Sequence, residues 1–245
     1  MAFSYSAIWE DTLALLRAHG GLLAAIAGVF LFLPALLIAQ FLPLPETTDP
    51  ALFFQDLVDY YRRGLLWFAL SGIVGMVGGA AMLRLVLVRG TSVGGAIAFG
   101  AALLPFYFLL SLISGLMFAV AFLLLIVPAL YLIGRLCPAG PILVAESSRN
   151  PIDVIARSFE ITKGRGWALF GLIFLVVIVG IIVTGVATML TGSVFILLAG
   201  QEIGRLLSAI VDSALSAIFS TVLLVLYAAI YRALGQPPSA AAVFE

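Results

Sequence analysis

Long apolar stretches alternate with short polar segments along the whole chain. Residues 101–134 carry no charged side chain, and neither do residues 167–200. A hydrocarbon core about 30 Å thick is crossed by roughly 20 helical residues. Backbone polar groups in lipid must be satisfied inside the segment, so these runs predict α-helices that span a membrane.

Hydropathy and span length together predict six membrane spans. They cover residues 21–42, 64–88, 99–113, 116–135, 167–190 and 206–231. The third and fourth come from one apolar stretch, which would be about 50 Å long as a single helix. We therefore predict a hairpin that turns at Ser111, Ser114 and Gly115. Residues 193–200 either extend the fifth helix or lie at the outer surface. The predicted fold is a single all-α membrane domain, 1–245, built as three hairpins.

Basic residues are distributed unevenly around these spans, and this sets the predicted orientation. With the N-terminus inside, the cytoplasmic set is Arg17, Arg84, Arg89, Arg135, Arg149, Arg157, Lys163, Arg165 and Arg232. The outer set is Arg62, Arg63 and Arg205. The first outer segment is instead acidic, with Glu46, Asp49, Asp56 and Asp59. The pattern predicts that both termini are cytoplasmic. The aromatic residues of 49–63 indicate that this segment rests on the outer interface, and its helicity stays open.

An amphipathic segment precedes three of the spans. The clearest is 150–163, where Asn150 suits a helix cap, Pro151 the first helical position and Gly164 the helix end. Its predicted apolar face consists of Ile152, Ile155, Phe159 and Thr162. The others are 6–19, which Gly20 and Gly21 are expected to end, and 92–99. We predict that all three lie on the cytoplasmic membrane surface. They suggest a threefold repeat of elbow and hairpin, although such helices are also common before spans.

Composition supports a membrane protein and points to little chemistry. The chain has 245 residues, of which 64% are hydrophobic and 10% charged, against about a quarter charged in soluble domains. Zero net charge gives no indication of a nucleic-acid partner. The single cysteine, Cys137, excludes an intrachain disulfide and a cysteine-rich metal site. We find no phosphate-binding loop, paired-histidine zinc motif or nucleophile elbow, and expect no enzyme activity, cofactor or metal.

The most informative ionisable residue is Asp212, about two turns into the sixth predicted span. It belongs to a polar stripe with four-residue spacing, made of Ser208, Asp212, Ser216 and Ser220. One interpretation is a hydrated groove for a proton, an ion or a lipid headgroup. The other is a hydrogen-bonded seam between helices. A ridge of Gly180, Thr184 and Thr188 in the fifth span predicts close helix packing.

The stretch from Arg135 to Trp167 carries a recognisable motif. It has an arginine at a helix end, a proline segment, a glutamate, Ala-x-Arg-Ser, Thr-Lys-Gly, and a tryptophan that opens a span. The matching residues are Arg135, Pro141, Glu146, Ala156, Arg157, Ser158, Thr162, Lys163, Gly164 and Trp167. The motif resembles the membrane domain of some bacterial glycerophosphodiester phosphodiesterases, and the YciC-type six-span proteins of bacterial inner membranes. Arg135 is expected to snorkel or to pair with Glu146.

This resemblance implies a multi-pass protein of the bacterial inner membrane and names no reaction. In those phosphodiesterases, activity belongs to a separate soluble barrel with paired histidines and metal-binding carboxylates. The present chain has one histidine, His19, so no diesterase activity is expected.

The leading functional hypothesis is a non-enzymatic protein that binds or organises membrane lipid through its surface helices. Its expected partners are membrane lipids, with a second copy of the chain or another membrane protein as further options. The alternative is a small transporter or channel that uses the Asp212 stripe.

Overall fold

The structure, a computed structural model, describes residues 4–43, 45 and 52–235, and all regular structure in these ranges is helical. The helices are α1 (Tyr5–Ala27), a π-helical turn (Gly28–Phe32), α2 (Leu33–Phe41), α3 (Phe53–Leu87), α4 (Val93–Leu124), α5 (Ile126–Leu136), α6 (Ala139–Ala145), α7 (Pro151–Ile161) and α8 (Gly166–Gly235). Within the described ranges, five helical segments are long and apolar enough to cross a membrane: Tyr5–Phe41, Phe53–Leu87, Val93–Leu124, Ile126–Ala145 and Gly166–Gly235. The predicted all-α fold is thus confirmed for the described residues, and the length and apolarity of these helices agree with a multi-pass membrane protein.

The longest helix, α8, folds back on itself at Gly200. A straight helix of its 70 residues would be about 105 Å long. Gly200 has φ 77° and ψ 177°, a backbone conformation that glycine adopts without steric cost. Positions equally distant from Gly200 then lie side by side, as Gly204 does against the backbone of Ile196. The helix therefore has two antiparallel arms, a first arm of residues 166–199 and a second arm of residues 201–235. Residues 193–200 extend the first arm.

The predicted turn at Ser111, Ser114 and Gly115 is wrong, because α4 continues through all three residues as far as Leu124. The chain reverses instead at Leu125, which has an extended backbone with φ −166° and ψ 146°. Pro128 explains this location: inside a continuing helix its ring would clash with the preceding turn, whereas in the first turn of α5 its missing N–H costs nothing. The predicted spans 99–113 and 116–135 change accordingly.

Two of the three predicted surface helices are not separate elements. Residues 6–19 belong to α1, which passes through Gly20 and Gly21 without a break. Residues 92–99 form the cap and first turns of α4, where the Ser92 hydroxyl accepts a 3.1 Å hydrogen bond from the N–H of Gly95. A helical glycine costs only about 1 kcal/mol, so apolar neighbours on both sides outweigh it. Three separate elbow helices are therefore not present.

The first outer segment is described only in part. Residues 53–63 are helical and form the first turns of α3, so Asp56 and Asp59 lie on that helix. Glu46 and Asp49 lie outside the described residues.

Tight packing concentrates at one end of the bundle, which we call the Arg135 end. Here α3 ends, α4 begins, α5 ends, and α8 both begins and ends. The short helix α6 contributes Ile142, Leu143 and Val144, all with no exposed surface. Apolar side chains elsewhere face outward, such as Leu123 at 86% exposure and Leu197 at 83%. This distribution suits helices whose outer surface meets lipid.

Candidate functional site

The motif residues assemble around α7 at the Arg135 end. Asn150 caps the helix, since its Oδ1 accepts a 3.1 Å hydrogen bond from the N–H of Ile152. Pro151 occupies the first turn, and Gly164 lies beyond the end with φ +76°. The predicted helix at 150–163 is confirmed within one or two residues. Its local signals come from capping and backbone chemistry, which act whatever surrounds the helix.

The buried face of α7 agrees only in part with the predicted apolar face. It consists of Pro151, Val154, Ser158 and Thr162. Of the predicted face, Thr162 is fully buried, Ile155 and Phe159 are half-buried, and Ile152 is 67% exposed. The burial of Ser158 was not predicted, because hydropathy treats a serine as a surface residue, whereas Ser158 is fully buried through hydrogen bonding to another helix.

Arg135 holds the C-terminal end of α7. Its guanidinium donates from Nη1 to the carbonyl of Thr162 at 2.7 Å and from Nη2 to the carbonyl of Phe159 at 2.6 Å. In return, the Ser158 hydroxyl donates to the carbonyl of Arg135 at 2.6 Å. The last carbonyls of a helix lack intrahelical donors and carry partial negative charge, so a buried cation is favourable there.

Aromatic rings complete the surroundings of this guanidinium. It lies 4.8 Å from the ring centre of Phe159 and 5.7 Å from that of Tyr131, in cation–π geometry. Only 8% of Arg135 is exposed, so the predicted snorkelling and the predicted pairing with Glu146 are both wrong. Within the described residues its Nε makes no hydrogen bond. The site therefore positions α7 against α5 through one arginine.

Glu146 pairs with Arg157 on the exposed side of the same junction. Its Oε1 lies 3.7 Å from Nε of Arg157 and accepts a 3.3 Å hydrogen bond from the hydroxyl of Tyr231. Arg157 also bonds Glu160 at 2.7 Å, and this hydrogen bond is the main cause that raises the pKa of Arg157 above its usual value. The arginine consequently stays cationic at physiological pH. Glu146 thereby links α7 to the second arm of α8.

Close backbone contact joins α5 to the start of α8. A methyl group on Gly134 would overlap the carbonyl of Gly166, and one on Gly166 would overlap the ring of Tyr131. Trp167 packs on Tyr131 with ring centres 5.6 Å apart, yet is 53% exposed. The remaining motif residues also lie here: Pro141 is buried in α6, whereas Lys163 is exposed beyond α7.

The polar stripe of the second arm is divided by the structure. Ser208 faces Gly192, and Asp212 accepts a 3.1 Å hydrogen bond from Thr188, so these two face the first arm. Asp212 is itself exposed, as are Ser216 and Ser220. Ser220 also lines a separate cavity of about 450 Å³ with the phenols of Tyr107 and Tyr227. Ser208 and Asp212 are thus part of the contact between the two arms of α8.

The ridge of the first arm contributes to the same contact. The ring of Phe219 fills the space that a side chain at Gly180 would need. Thr188 bonds Asp212, and Thr184 donates within its own helix to the carbonyl of Gly180 at 2.8 Å. The predicted close packing of this ridge is confirmed at Gly180.

A long apolar groove runs between α1 and the arms of α8, and we call it the α1–α8 groove. One part has a volume of about 550 Å³ and lies between the first turns of α1 and both arms. The other part, about 380 Å³, lies between the later turns of α1 and the second arm. Ile218 and Val222 line both parts. The lining is almost entirely aliphatic and aromatic, so the groove suits a hydrocarbon chain.

The sequence did not indicate this groove or the partners of Arg135. Backbone carbonyls carry no residue signature, although two buried hydroxyl residues four apart in α7 are a usable signal. Among the described residues, no group of three histidine, cysteine, aspartate or glutamate side chains is arranged to hold a metal ion. Comparison with models of protein families, with curated proteins and with solved structures returned no match.

Proposed function

We propose that the protein is a six-crossing protein of the bacterial inner membrane that binds membrane lipid, with both ends in the cytoplasm. The crossings would be the segment from α1 to α2, then α3, α4, α5 with α6, and the two arms of α8. The Arg135 end would face the cytoplasm, because it carries most of the basic residues. The resemblance to YciC-type proteins supports the same location.

The observation that carries lipid binding is the α1–α8 groove. Among its lining residues, Leu172 lies about 9 Å and Val183 about 25 Å along α8 from Gly166, at 1.5 Å per residue. In the proposed topology this depth coincides with lipid acyl chains. An apolar groove that opens sideways at this depth meets acyl chains as its neighbours. A chain in the groove would gain contacts with α1 that the outer surface of α8 alone does not offer.

The exposed side of α7 adds support for contact with the membrane surface. Exposed Ile152 and Trp167 lie close in sequence to Arg149, Lys163 and Arg165. Apolar tips beside basic residues are typical of helices that rest among anionic headgroups. The Arg135 contacts would fix α7 in this position.

The lipid-binding proposal is tested by purification in nanodiscs followed by mass spectrometry of retained lipid. Val179→Trp would fill the groove, whereas Ile182→Trp places the same bulk on the same arm outside the groove lining. We expect the parent and Ile182→Trp proteins to retain lipid after detergent washing, and Val179→Trp to lose most of it. Equal retention by both variants would exclude the groove as the binding site.

The topology is tested by labelling single cysteines with a membrane-impermeant maleimide. In a Cys137→Ala background, Gln201→Cys lies beside the α8 turn and Glu160→Cys lies on α7. We expect labelling of the Gln201→Cys protein in intact cells, and of the Glu160→Cys protein only after permeabilisation. The reverse result would invert the proposed orientation, and labelling of both in intact cells would contradict the single crossing that the proposal places between them.

The alternative function, a small transporter or channel, depends on Asp212. A carboxylate on a membrane-crossing helix is costly and commonly functional. Its bond to Thr188 supports the seam interpretation more strongly, because this bond joins the two arms of α8. Flux measurements on Asp212 variants separate the two functions and are described in the Discussion.

A further inference from the structure

A second cavity lies at the Arg135 end, and its lining differs from that of the groove. Its volume is about 590 Å³, and its walls come from α1, the end of α3, α6 and the last turns of α8. Its polar lining consists of His19, Arg89, Tyr231 and Arg232, and its apolar lining includes Leu15 and Val86. Basic groups and aliphatic side chains therefore line the same space, which we call the basic cavity.

Acidic groups near this cavity are already paired. Asp11 lies 3.3 Å from Nη1 of Arg232. Tyr231 donates to Glu146, which also pairs with Arg157. Within the described part of the chain, Arg89 makes neither an ion pair nor a side-chain hydrogen bond. The cavity consequently has an excess of positive charge, and Arg89 is the cation that a ligand would neutralise.

Backbone structure fixes Arg89 beside the cavity. It follows Val88, the last residue of α3, and precedes Gly90, whose φ of +75° turns the chain toward α4. The hydroxyl of Thr91 donates to the carbonyl of Val88 at 2.8 Å and closes this turn. This turn therefore fixes the backbone of Arg89, while its side chain is exposed. The neighbouring wall is rigid, since Leu15 and Val86 are 6% and 8% exposed.

His19 provides a further polar group on the same wall. Its Nδ1 donates to the carbonyl of Leu15 at 3.2 Å, so Nε2 is the ring nitrogen that a ligand can reach. A guanidinium matches two phosphate oxygens at once, and a second guanidinium and an imidazole add donors or acceptors around them. The aliphatic wall would lie against the part of the ligand next to the phosphate.

We propose that the basic cavity binds the phosphate group of an anionic phospholipid, with Arg89 as the principal cation. This deepens the proposed function, because it rests on lipid binding and adds headgroup selectivity. A free phosphate ion has the same chemistry but makes no use of the aliphatic wall. The phospholipid uses both halves of the cavity.

The test is native mass spectrometry of the purified full-length protein with phosphatidylglycerol or phosphatidylcholine added in mild detergent. We expect the parent protein to bind phosphatidylglycerol about tenfold more tightly, because both lipids carry the phosphate but phosphatidylcholine also brings a choline cation next to Arg89. Arg89→Gln should lose this preference without unfolding, because Arg89 is exposed and its side chain pairs with none of the described residues. Arg63→Gln removes an exposed arginine near the other end of the bundle and serves as the matched control.

Each result bears on the proposal in a defined way. An equal loss of preference in Arg89→Gln and Arg63→Gln would overturn it in favour of general surface charge, and so would an unchanged preference in Arg89→Gln. Displacement of phosphatidylglycerol by excess inorganic phosphate would overturn the lipid as the source of the phosphate. Equal binding of both lipids would remove the headgroup site and leave the lipid-binding function intact, whereas no binding of either lipid would remove both.

Discussion

Arg135 and Ser158 are joined across 23 residues of sequence by a 2.6 Å hydrogen bond from the serine hydroxyl to the arginine carbonyl. The guanidinium of the same arginine binds the carbonyls of Phe159 and Thr162. The end of α5 therefore donates hydrogen bonds to the end of α7 and also accepts one from it. This reciprocity makes α7 a fixed part of the bundle.

Replacing Arg135 should destabilise the protein more than any other change at the junction. Arg135→Ala removes the donor to the Phe159 carbonyl and one of two donors to the Thr162 carbonyl, which keeps the N–H of Arg165 at 3.0 Å; each bond to a charged group is worth about 1.5–3 kcal/mol. Arg135→Lys keeps the charge but not the planar fork, so we expect an intermediate loss. Thermal unfolding in detergent, followed by circular dichroism, measures both. Arg149→Ala, an exposed arginine near α7, is the control, and an equal decrease in its melting temperature would contradict the assigned role.

The ion pair between Glu146 and Arg157 should contribute little to stability. Both side chains are 39% exposed, and pairs of this kind are worth about 0–1 kcal/mol. We expect Glu146→Gln to change the melting temperature only slightly, with an effect that decreases further at high salt. A decrease as large as that of Arg135→Ala would show that the contact between Glu146 and Tyr231 carries more of the packing than its 3.3 Å geometry indicates.

The turn of α8 should require glycine at position 200. Gly200→Ala meets no neighbouring atom, so its cost is the backbone strain of a positive φ with ψ near 180°, about 1–3 kcal/mol. Gly185→Ala is the matched control, because Gly185 is helical and also has no atom within 4 Å of an added Cβ. A helical alanine should stabilise by up to about 1 kcal/mol. Melting temperatures that shift in opposite directions would confirm the turn, and two increases would refute it.

Asp212 variants should distinguish the seam from a transport site. Asp212→Asn keeps an acceptor for Thr188, so we expect normal folding, and Asp212→Ala should lose about 0.6 kcal/mol, the average for interhelical bonds in membranes. Proton flux into proteoliposomes should be the same for all three proteins. A flux that is present in the parent and lost in a folded Asp212→Asn protein would establish the transporter instead.

The structural features that could be predicted from the sequence are those that depend on local chemistry. Asn150 acts through its side-chain cap, and Pro151 and Gly164 act through their own backbone, so the limits of α7 followed from residue type. Ser111, Ser114 and Gly115 resemble a turn only where water competes for the backbone, and in an apolar stretch the helix continues. Pro128 carried the better signal, because a proline limits where the preceding helix can end.

The partner of Arg135 was not predictable for a different reason. Sequence reasoning pairs cations with acidic side chains, and Glu146 was the nearest candidate. A buried guanidinium is equally satisfied by helix-terminal carbonyls, which every residue possesses. Only the position of α7 relative to α5 decides between them, and that position depends on contacts between the two helices such as the bond from Ser158 to the carbonyl of Arg135.

The two α8 arms and the Asp11–Arg232 pair differ in when they can form during synthesis. Thr188 and Asp212 are separated by 24 residues, so the hairpin can close as soon as the second arm emerges. The pair between Asp11 and Arg232 can form only after Arg232 has been synthesised, because it joins the first helix to the last. Closing so long a loop has a higher entropic cost and comes late. Until then, the apolar side of α1 that later packs on α8 has only lipid or a chaperone to cover it.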